Sequence, residues 1–284
     1  KKKLVAMPNP FYQIYEGATL LAGGEPYYLN CTEETGFKPV WRDIPTEILK
    51  KIGIVYICSP YNPAGSVMTA KDYKEIIELS QKFNFIIIAD ECYSEIYPEE
   101  KNPPLGLLEH CVKFNFNGFK NILVLNSLSK RSGLPGLRSG FIAGDKDLIR
   151  KYYSYRTYQG GAMPPHTQKA SIFAWKDEYH VRINRGYYQK NLNQGVKELS
   201  NISGFTMPKA GFFFWIKISH NDLEITKRLF SEESLIVLPG QFLARENLGE
   251  NPGKSYLRVA MVHDSNKSYE AVSRLARFLK KYEV

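Results

Sequence analysis

The residues best suited to chemistry lie in one stretch, 126–140, which contains Ser127, Ser129, Lys130 and Arg138. An apolar run at 122–125 precedes this stretch and another at 141–143 follows it, with glycines and a proline between the lysine and the arginine. In sheets of parallel strands, ligands bind beyond the strand ends. An apolar strand that ends in hydroxyl, amine and guanidinium groups therefore indicates an anionic or electrophilic ligand.

Lys130 is the candidate nucleophile. Most lysines are solvated surface charges, but an amine at a strand end beside an apolar sheet can lose its proton readily. Such an amine could bond an aldehyde cofactor as a Schiff base and move a proton between substrate and cofactor. Ser127, Ser129 and Arg138 would then hold the cofactor's phosphate. The alternative for the two serines is local bonding within the turn.

An aspartate ends the most strand-like run of the chain, residues 85–89. Asp90 could cap the next helix, hold Mg²⁺ as in a P-loop ATPase, or favour protonation of a pyridine nitrogen. Raising that nitrogen's pKa by roughly two to three units requires about 3–4 kcal/mol, which a close, desolvated carboxylate can supply. Tyr93 and Asn62 would then contact the phenolic oxygen of the same cofactor.

Two further residues fit such a ligand. Arg258, in the strand-like run 255–260, could clamp a substrate α-carboxylate in a bidentate way that lysine cannot copy; the alternative is an exposed charge on an edge strand. Tyr12 could stack on a planar ring or belong to the core. The five histidines show no metal-ligand spacing, so the sequence predicts no metal site.

The composition fits one large domain and a smaller one, with 284 residues of which 43% are hydrophobic. No apolar run approaches the roughly 20 residues of a membrane span, and the four scattered cysteines predict reduced thiols in a cytoplasmic protein. The formal net charge is +9, but basic and acidic residues are interleaved. We therefore expect a solvated basic surface, with no nucleic-acid or membrane partner.

The elements that must position these groups alternate between strands and helices. Apolar strands are predicted at 53–58, 85–89 and 121–126, and Thr69 begins a helix that runs to 82. Uniformly apolar strands at this spacing predict a parallel sheet covered by helices on both faces. Because Asn62, Asp90 and Lys130 follow three strand ends, we expect them to converge on one edge of the sheet.

The pattern changes after residue 147. Amphipathic helices are predicted at 148–158, 167–175 and 179–199. A compact α+β segment follows, with strands at 211–218, 235–238 and 256–262 and helices at 223–231 and from 268 onward. We therefore predict a large cofactor-binding domain at 1–190, including an interdomain helix, and a small C-terminal domain at 191–284.

With these residues in place, the chain resembles the class I and II pyridoxal-phosphate-dependent aminotransferases of fold type I. SPYNPAG (59–65) resembles the family's S-x-N-P-x-G loop and ADECYSEIY (89–97) its D-E-x-Y element. SLSKRSGLPGLRSG (127–140) resembles S-x-S-K followed by G-x-x-G-x-R, and YLRVAM (256–261) the arginine strand. Each motif is weak alone, but together they occur in family order across nearly the whole chain.

The resemblance implies an aspartate aminotransferase-like large domain, which is a three-layer αβα sandwich with a mainly parallel sheet, and a smaller α+β domain. It implies pyridoxal 5'-phosphate as cofactor and a homodimer with active sites at the subunit interface. The residues implied are Lys130 for catalysis, Tyr12, Asn62, Asp90, Tyr93, Ser127, Ser129, Lys130 and Arg138 for cofactor binding, and Asn62 and Arg258 for the substrate.

Two segments narrow the resemblance. Residues 8–30 and 155–175 resemble the subgroup that acts on N-succinyl-LL-2,6-diaminopimelate in bacterial lysine synthesis, with glutamate and 2-oxoglutarate as the other substrate pair. Family members also carry a further segment before the position where this chain starts. By the resemblance it supplies a central strand, a phosphate-binding helix N-terminus and part of the small domain. For the chain as given we expect weakened cofactor binding and an exposed apolar sheet face or edge.

Alternatives to this interpretation stay open. Another class I or II aminotransferase would act on aspartate or aromatic amino acids, and a pyridoxal-dependent β-lyase would use the same cofactor motifs. A P-loop ATPase would need a GxxxxGK[ST] loop, which this sequence does not contain. A binding module without catalysis is disfavoured because every reactive position is present.

Overall fold

The computed structural model describes residues 3–282, and within this range the chain forms two β-sheets. The strands of the larger sheet are β1 (Leu4–Asn9), β2 (Glu25–Asn30), β3 (Ile52–Cys58), β4 (Ile86–Asp90), β5 (Ile122–Ser127) and β6 (Gly140–Gly144). Their order is β2-β1-β3-β4-β5-β6. All neighbours pair parallel except β5 and β6, which are antiparallel. The predicted α/β fold with a mainly parallel sheet is confirmed.

Helices cover this sheet and continue into the second half of the chain. They are α1 (Gln13–Leu21), α2 (Thr46–Leu49), α3 (Ala70–Phe83), α4 (Leu107–Lys113), α5 (Leu128–Arg131), α6 (Lys146–Arg156), α7 (Pro165–Lys176), α8 (Tyr179–Leu199), α9 (Asp222–Glu233) and α10 (Ser265–Lys281). On one sheet face, Tyr73 and Ile76 of α3 join the core residues Ile87 and Val124. On the other, Tyr15 of α1 packs with Val5 and Met7.

Helix α3 shows why the local sequence predicted the fold well. Thr69 caps it: its hydroxyl accepts a hydrogen bond from the backbone N–H of Asp72, and the Asp72 carboxylate accepts one from the N–H of Thr69. The helix ends at Asn84, whose φ of 53° is left-handed. These end signals fix the length of the helix and therefore where β4 begins.

The smaller sheet is antiparallel and contains β7 (Phe213–Lys217), β8 (Leu238–Pro239) and β9 (Tyr256–Ala260) in the order β7-β9-β8. Its core includes Phe214 and Leu257 from the strands, with Leu229 of α9 and Phe278 of α10. Strand β9 therefore lies in the middle of this sheet. A residue at its centre cannot be an edge-strand charge.

One local prediction was wrong, and one helix was not predicted. The strand predicted at 235–238 pairs with β9 only from Leu238, because Leu235 and Val237 turn into the core below α9 while Ile236 is exposed. Helix α4 was not predicted, since seven residues give little periodic signal. The burial of Leu107 and Cys111 in the core stabilises it.

Helix α8 crosses the boundary predicted between residues 190 and 191 without a break. Its C-terminal half places Leu192 and Leu199 in the core of the smaller sheet. The division into domains at 1–190 and 191–284 stays a prediction.

Strand β6 forms an edge of the large sheet, and Phe141 on this strand is 45% exposed.

Two other kinds of feature, a membrane-spanning helix and a group of metal ligands, are absent from the described residues. Within residues 3–282, no helix has the length and apolar character to cross a membrane. In the same range, no group of three or more His, Cys, Asp or Glu residues is arranged to hold a metal ion. The four cysteines are free, and Cys92 is the one with partial exposure.

Candidate active site

A cavity of about 320 Å³ opens at the carboxyl edge of the large sheet. Its walls are formed by Tyr12, Tyr15, Cys58, Asn62, Asp90, Cys92, Tyr93, Ser127, Ser129, Lys130, Pro135 and Arg138. All eight residues predicted to bind a cofactor are among them. They meet there because β3, β4 and β5 are adjacent and parallel, so that their carboxyl ends face the same space.

Asp90 lies at the end of β4 and is held by hydrogen bonds from two sides. Its Oδ2 accepts a bond of 2.6 Å from the hydroxyl of Tyr15, and its Oδ1 accepts one of 3.1 Å from the backbone N–H of Cys92. Burial raises the pKa of Tyr15 well above its usual range, and the neighbouring Cys58 and Asp90 raise it further. Tyr15 therefore stays a hydrogen-bond donor, and the carboxylate is fixed in orientation.

Lys130 belongs to α5, the single helical turn that follows β5. Its Nζ lies 5.3 Å from the ring centroid of Phe212. The lysine is half-buried, and this burial lowers its pKa; the positive charge of Arg258 lowers it further, while Cys92 acts in the opposite direction. A larger fraction of the amine is therefore neutral, and nucleophilic, near neutral pH than for an exposed lysine.

The two serines at the start of α5 are bonded to each other. Ser127 Oγ donates to Ser129 Oγ over 2.8 Å and lies 3.1 Å from the carbonyl oxygen of Ser139, and it accepts from the backbone N–H of Ser129. The alternative of local turn bonding is therefore realised for Ser127. Because Ser129 accepts its neighbour's hydrogen, its own hydroxyl hydrogen remains to donate to a ligand.

Arg138 and Tyr12 lie at the open side of the cavity. Arg138 is exposed, has a left-handed backbone with φ of 49°, and donates from Nη1 to the carbonyl oxygen of Pro135 over 2.7 Å. Tyr12 is 39% exposed and meets the ring of Tyr15 edge-on at 5.8 Å. Tyr12 is therefore a wall residue, and its alternative as a core residue does not hold.

Arg258 comes from the middle of β9 and is not among the residues that line this cavity; it lines a second cavity, of about 730 Å³, beside α10. Its guanidinium is 4.5 Å from the ring centroid of Phe213, and Tyr93 packs edge-on against the same ring at 5.2 Å. Burial lowers the pKa of Arg258, against the effect of the neighbouring Tyr93, which raises it. The Nε of Arg258 is buried without a hydrogen-bond partner among the described residues. A buried donor without a partner is costly unless an anion binds to it.

Sequence reasoning missed Tyr15 and Phe212. Tyr15 lies in the first turn of α1, three residues after Tyr12, whose extended backbone caps this helix. The nearness of Tyr15 in sequence to a predicted site residue is the signal that could have found it. Phe212 gave no such signal, since its run of aromatic residues also fits a strand core. Glu91, next to Asp90, is excluded from the site: its carboxylate accepts the N–H of Leu107, and burial raises its pKa to about 7.

The fold and this cavity together define a class of protein. A parallel α/β sheet presents an amine of lowered pKa, a fixed carboxylate, hydroxyls and a guanidinium to one space, and a second arginine is near enough for its charge to act on that amine. This donor set suits a phosphorylated, aromatic aldehyde cofactor, that is, an enzyme of the pyridoxal-phosphate type.

The comparisons with known proteins identify the family. Residues 1–275 match the model of the class I and II aminotransferases, and the chain belongs to this family. A crystal structure of an aminotransferase from Neisseria meningitidis is 43% identical, with a TM-score of 0.92, over 99% of this chain and 70% of that one. One from Helicobacter pylori is 36% identical, with a TM-score of 0.90, over 99% of this chain and 71% of that one.

A curated relative carries a more specific name. LL-diaminopimelate aminotransferase of Halothermothrix orenii is 30% identical over 281 residues, which are 96% of this chain and 68% of the relative. The predicted cofactor is confirmed, since the class I and II aminotransferases depend on pyridoxal phosphate.

The residues of the cavity fit this cofactor. Asn62 Oδ1 is buried without a hydrogen-bond partner in the described part of the chain, so this amide is not committed to another protein group. Asp90, by contrast, is already oriented by Tyr15. The cavity thus combines groups fixed in place with groups that still need a partner, as a binding site for a polar ring requires.

Proposed function

We propose that this chain transfers an amino group between an amino acid and a keto acid, with Lys130 as the catalytic residue and diaminopimelate-type compounds as substrates. The observation that carries the proposal is the placement of Lys130 and Asp90 at adjacent strand ends of one cavity. Bound pyridoxal phosphate supplies an electron sink for the electrons released at the substrate's α-carbon.

Asp90 would keep the pyridine nitrogen of the cofactor protonated, because a nearby carboxylate stabilises the positive form of the ring. Tyr15 holds this carboxylate in position through its hydrogen bond of 2.6 Å. Tyr93 and the amide of Asn62 would bind the phenolic oxygen of the cofactor. Tyr12 stacks on the ring face from the rim of the cavity.

Lys130 would hold the cofactor through its amine, by condensation with the aldehyde and loss of water, and would carry a proton to and from the substrate's α-carbon. Its lowered pKa supports both tasks, since each needs the amine in its neutral form for part of the reaction. The phosphate would be bound by the hydroxyl of Ser129 and by the guanidinium of Arg138, and by the hydroxyl of Ser127 once its hydrogen turns from Ser129 towards the phosphate. All three groups line the same cavity as Lys130.

Arg258 binds the α-carboxylate of the substrate, with Asn62 as a second contact. The buried, unpaired Nε of Arg258 supports this role, because a carboxylate would supply the missing acceptor. The positive charge of Arg258 lowers the pKa of Lys130, which supports the proposal that the carboxylate binds near the reactive amine.

The substrate is the finer part of the proposal. A relative named LL-diaminopimelate aminotransferase supports a diaminopimelate compound. The segments 8–30 and 155–175 favour the N-succinyl-LL form, in a cytoplasmic pathway of lysine synthesis. Exposed aromatic residues along α6 and α7, such as Tyr153, Tyr155 and Phe173, favour a homodimer.

Borohydride trapping followed by peptide mass mapping tests the central assignment. The protein loaded with pyridoxal phosphate should carry a pyridoxyl group on Lys130 after reduction, and a group at another lysine would contradict the proposal. Turnover with N-succinyl-LL-diaminopimelate, LL-diaminopimelate, aspartate and phenylalanine, each with 2-oxoglutarate, then ranks the substrates. With an amino acid that carries a leaving group on its β-carbon, release of ammonia and pyruvate would indicate a β-lyase.

A further inference from the structure

Helix α8 bonds the backbone of Lys130 and the backbone just beyond the strand that carries Arg258. Near its N-terminus, the side-chain amide of Asn184 donates to the carbonyl oxygens of Lys130 and Arg131, over 2.9 and 3.0 Å. Two turns later, Asn191 donates to the carbonyl oxygens of His263 and Met261, over 2.9 and 3.3 Å. One helix thus bonds the backbone of α5 and the chain just beyond β9.

The bonds from Asn184 meet a need of α5. This helix is one turn long, so its last carbonyls have no N–H group of the same helix to accept from. A single amide, with two hydrogens on its nitrogen, can serve two consecutive carbonyls. The neighbouring Arg131 is fixed on the same side: its buried guanidinium donates to Ala174 O over 3.0 Å and pairs with Glu178. The backbone that carries Lys130 is therefore held from α7 and α8.

The hydrogen bonds from Asn191 hold the segment that follows β9, the strand of Arg258. Asn191 is fully buried. Met261 directly follows β9, and its own N–H donates to the carbonyl of Phe212 over 2.8 Å. Close to this point Gly195 lets α8 approach β7, since a Cβ there would lie 2.5 Å from the ring of Phe214. The strand that carries Arg258 is therefore fixed to the same helix.

The spacing of Asn184 and Asn191 places both side chains on the same face of α8. Seven residues on an α-helix make nearly two full turns, so both side chains lie on one face, about 10.5 Å apart along the axis. Helix α8 has 21 residues and is stiff along its axis. The hydrogen bonds that Asn184 and Asn191 donate from this one helix therefore fix the distance between α5 and the end of β9.

We propose that Asn184 and Asn191 are positioning residues, which set where the amine of Lys130 lies relative to the guanidinium of Arg258. The proposal rests on the roles given above to Lys130 and Arg258. Neither asparagine lines the cavity within the described residues, so each acts through the backbone it holds. Without Asn184 the backbone of Lys130, and with it the amine, is held less firmly. Without Asn191 the same applies to the strand that carries Arg258.

The first arm of the test replaces Asn184 by Asp in the enzyme loaded with pyridoxal phosphate. Asp has the same size but lacks both donor hydrogens, and it places a charge against two carbonyls. We expect the rate constant of amino transfer, measured by stopped flow on the amino-acid half-reaction, to fall about tenfold or more. The pH midpoint of the cofactor's visible absorbance should shift as well, and a purely structural role would not move that midpoint.

The second arm replaces Asn191 by Ala, or by Ser if the alanine variant does not fold. We expect the KM for the amino acid to rise about tenfold while kcat changes less than about threefold. Asn193→Ala is the matched control, because Asn193 lies on the same helix and is exposed. It should behave as the unchanged enzyme in every measurement.

The results separate this proposal from the proposed function. If the unchanged enzyme is trapped at Lys130 but Asn184→Asp keeps its rate and its absorbance midpoint, the positioning role is wrong and the function stands. An equal loss of kcat in both asparagine variants, without a rise in KM, would also overturn it. If the unchanged enzyme is not trapped at Lys130, the proposed function itself fails.

Discussion

The two sheets present their charged residues to the candidate site in different ways. In the large sheet, Asp90 follows directly from the end of a buried strand and is oriented by the hydroxyl of Tyr15 at 2.6 Å. In the small sheet, Arg258 lies in mid-strand over the ring of Phe213, with its Nε unpaired. The carboxylate of Asp90 thus has hydrogen-bond donors within the protein, whereas the Nε of Arg258 has no acceptor among the described residues.

This difference matches what each charge would bind. A cofactor stays in the site between turnovers, so its carboxylate partner can remain in one fixed orientation throughout the reaction. A substrate must bind and leave in every turnover, and a donor that the protein has not already satisfied adds most to its affinity. The comparison therefore predicts that changes in the large sheet act on the cofactor and changes in the small sheet act on the substrate.

The largest effect is expected for Lys130→Ala. Without the amine there is neither covalent attachment nor a group to move the α-proton, so transamination should fall by at least about 1000-fold. The melting temperature should change little, because the lysine is only half-buried. Turnover of this variant at the original rate would remove the mechanism altogether.

Arg258→Lys tests the small sheet. Lysine keeps the positive charge but loses the bidentate fork, and hydrogen bonds to charged groups contribute about 1.5–3 kcal/mol. We expect the KM for the amino acid to rise roughly 10- to 100-fold. The dissociation constant of pyridoxal phosphate, measured by fluorescence titration, should stay within about twofold of the original. A weaker affinity for the cofactor would contradict the division of roles between the sheets.

Tyr15→Phe is the matching test in the large sheet. It removes one hydrogen bond to a charged carboxylate, and we expect pyridoxal phosphate to bind about tenfold more weakly. The KM of the amino acid should change less. Tyr56→Phe is the control, because the Tyr56 ring stacks on Tyr15 at 4.6 Å while the bond from Tyr15 to Asp90 remains. Equal losses in both variants would show that packing, not the hydrogen bond, is what matters.

The two regions also differ in how far the sequence predicted them. The strand ends at Asp90 and Ser127 follow from short apolar runs, and the parallel pairing brings them together without further information. Lys130 and Arg258 are far apart in sequence but lie over the rings of the neighbouring residues Phe212 and Phe213. No local pattern encodes that arrangement, and the same holds for the bond from Tyr15 to Asp90.

The smallest expected effect tests whether the two regions are coupled electrostatically. Burial lowers the pKa of Lys130 first, and the positive charge of Arg258 lowers it further. Arg258→Gln removes that charge and keeps a polar side chain, so the pKa of Lys130 should rise. In the protein freed of cofactor, the rate at which pyridoxal phosphate attaches should then reach its half-maximum at a higher pH.

Arg277→Gln controls for the change in net charge, since Arg277 is exposed on α10. It should leave the half-maximum where it was, apart from the small, salt-sensitive effect of a distant charge. If Arg258→Gln shifts the half-maximum no more than this control, burial alone sets the pKa of Lys130. The charge of the small sheet would then act on the substrate without acting on the amine, and the two regions would be independent.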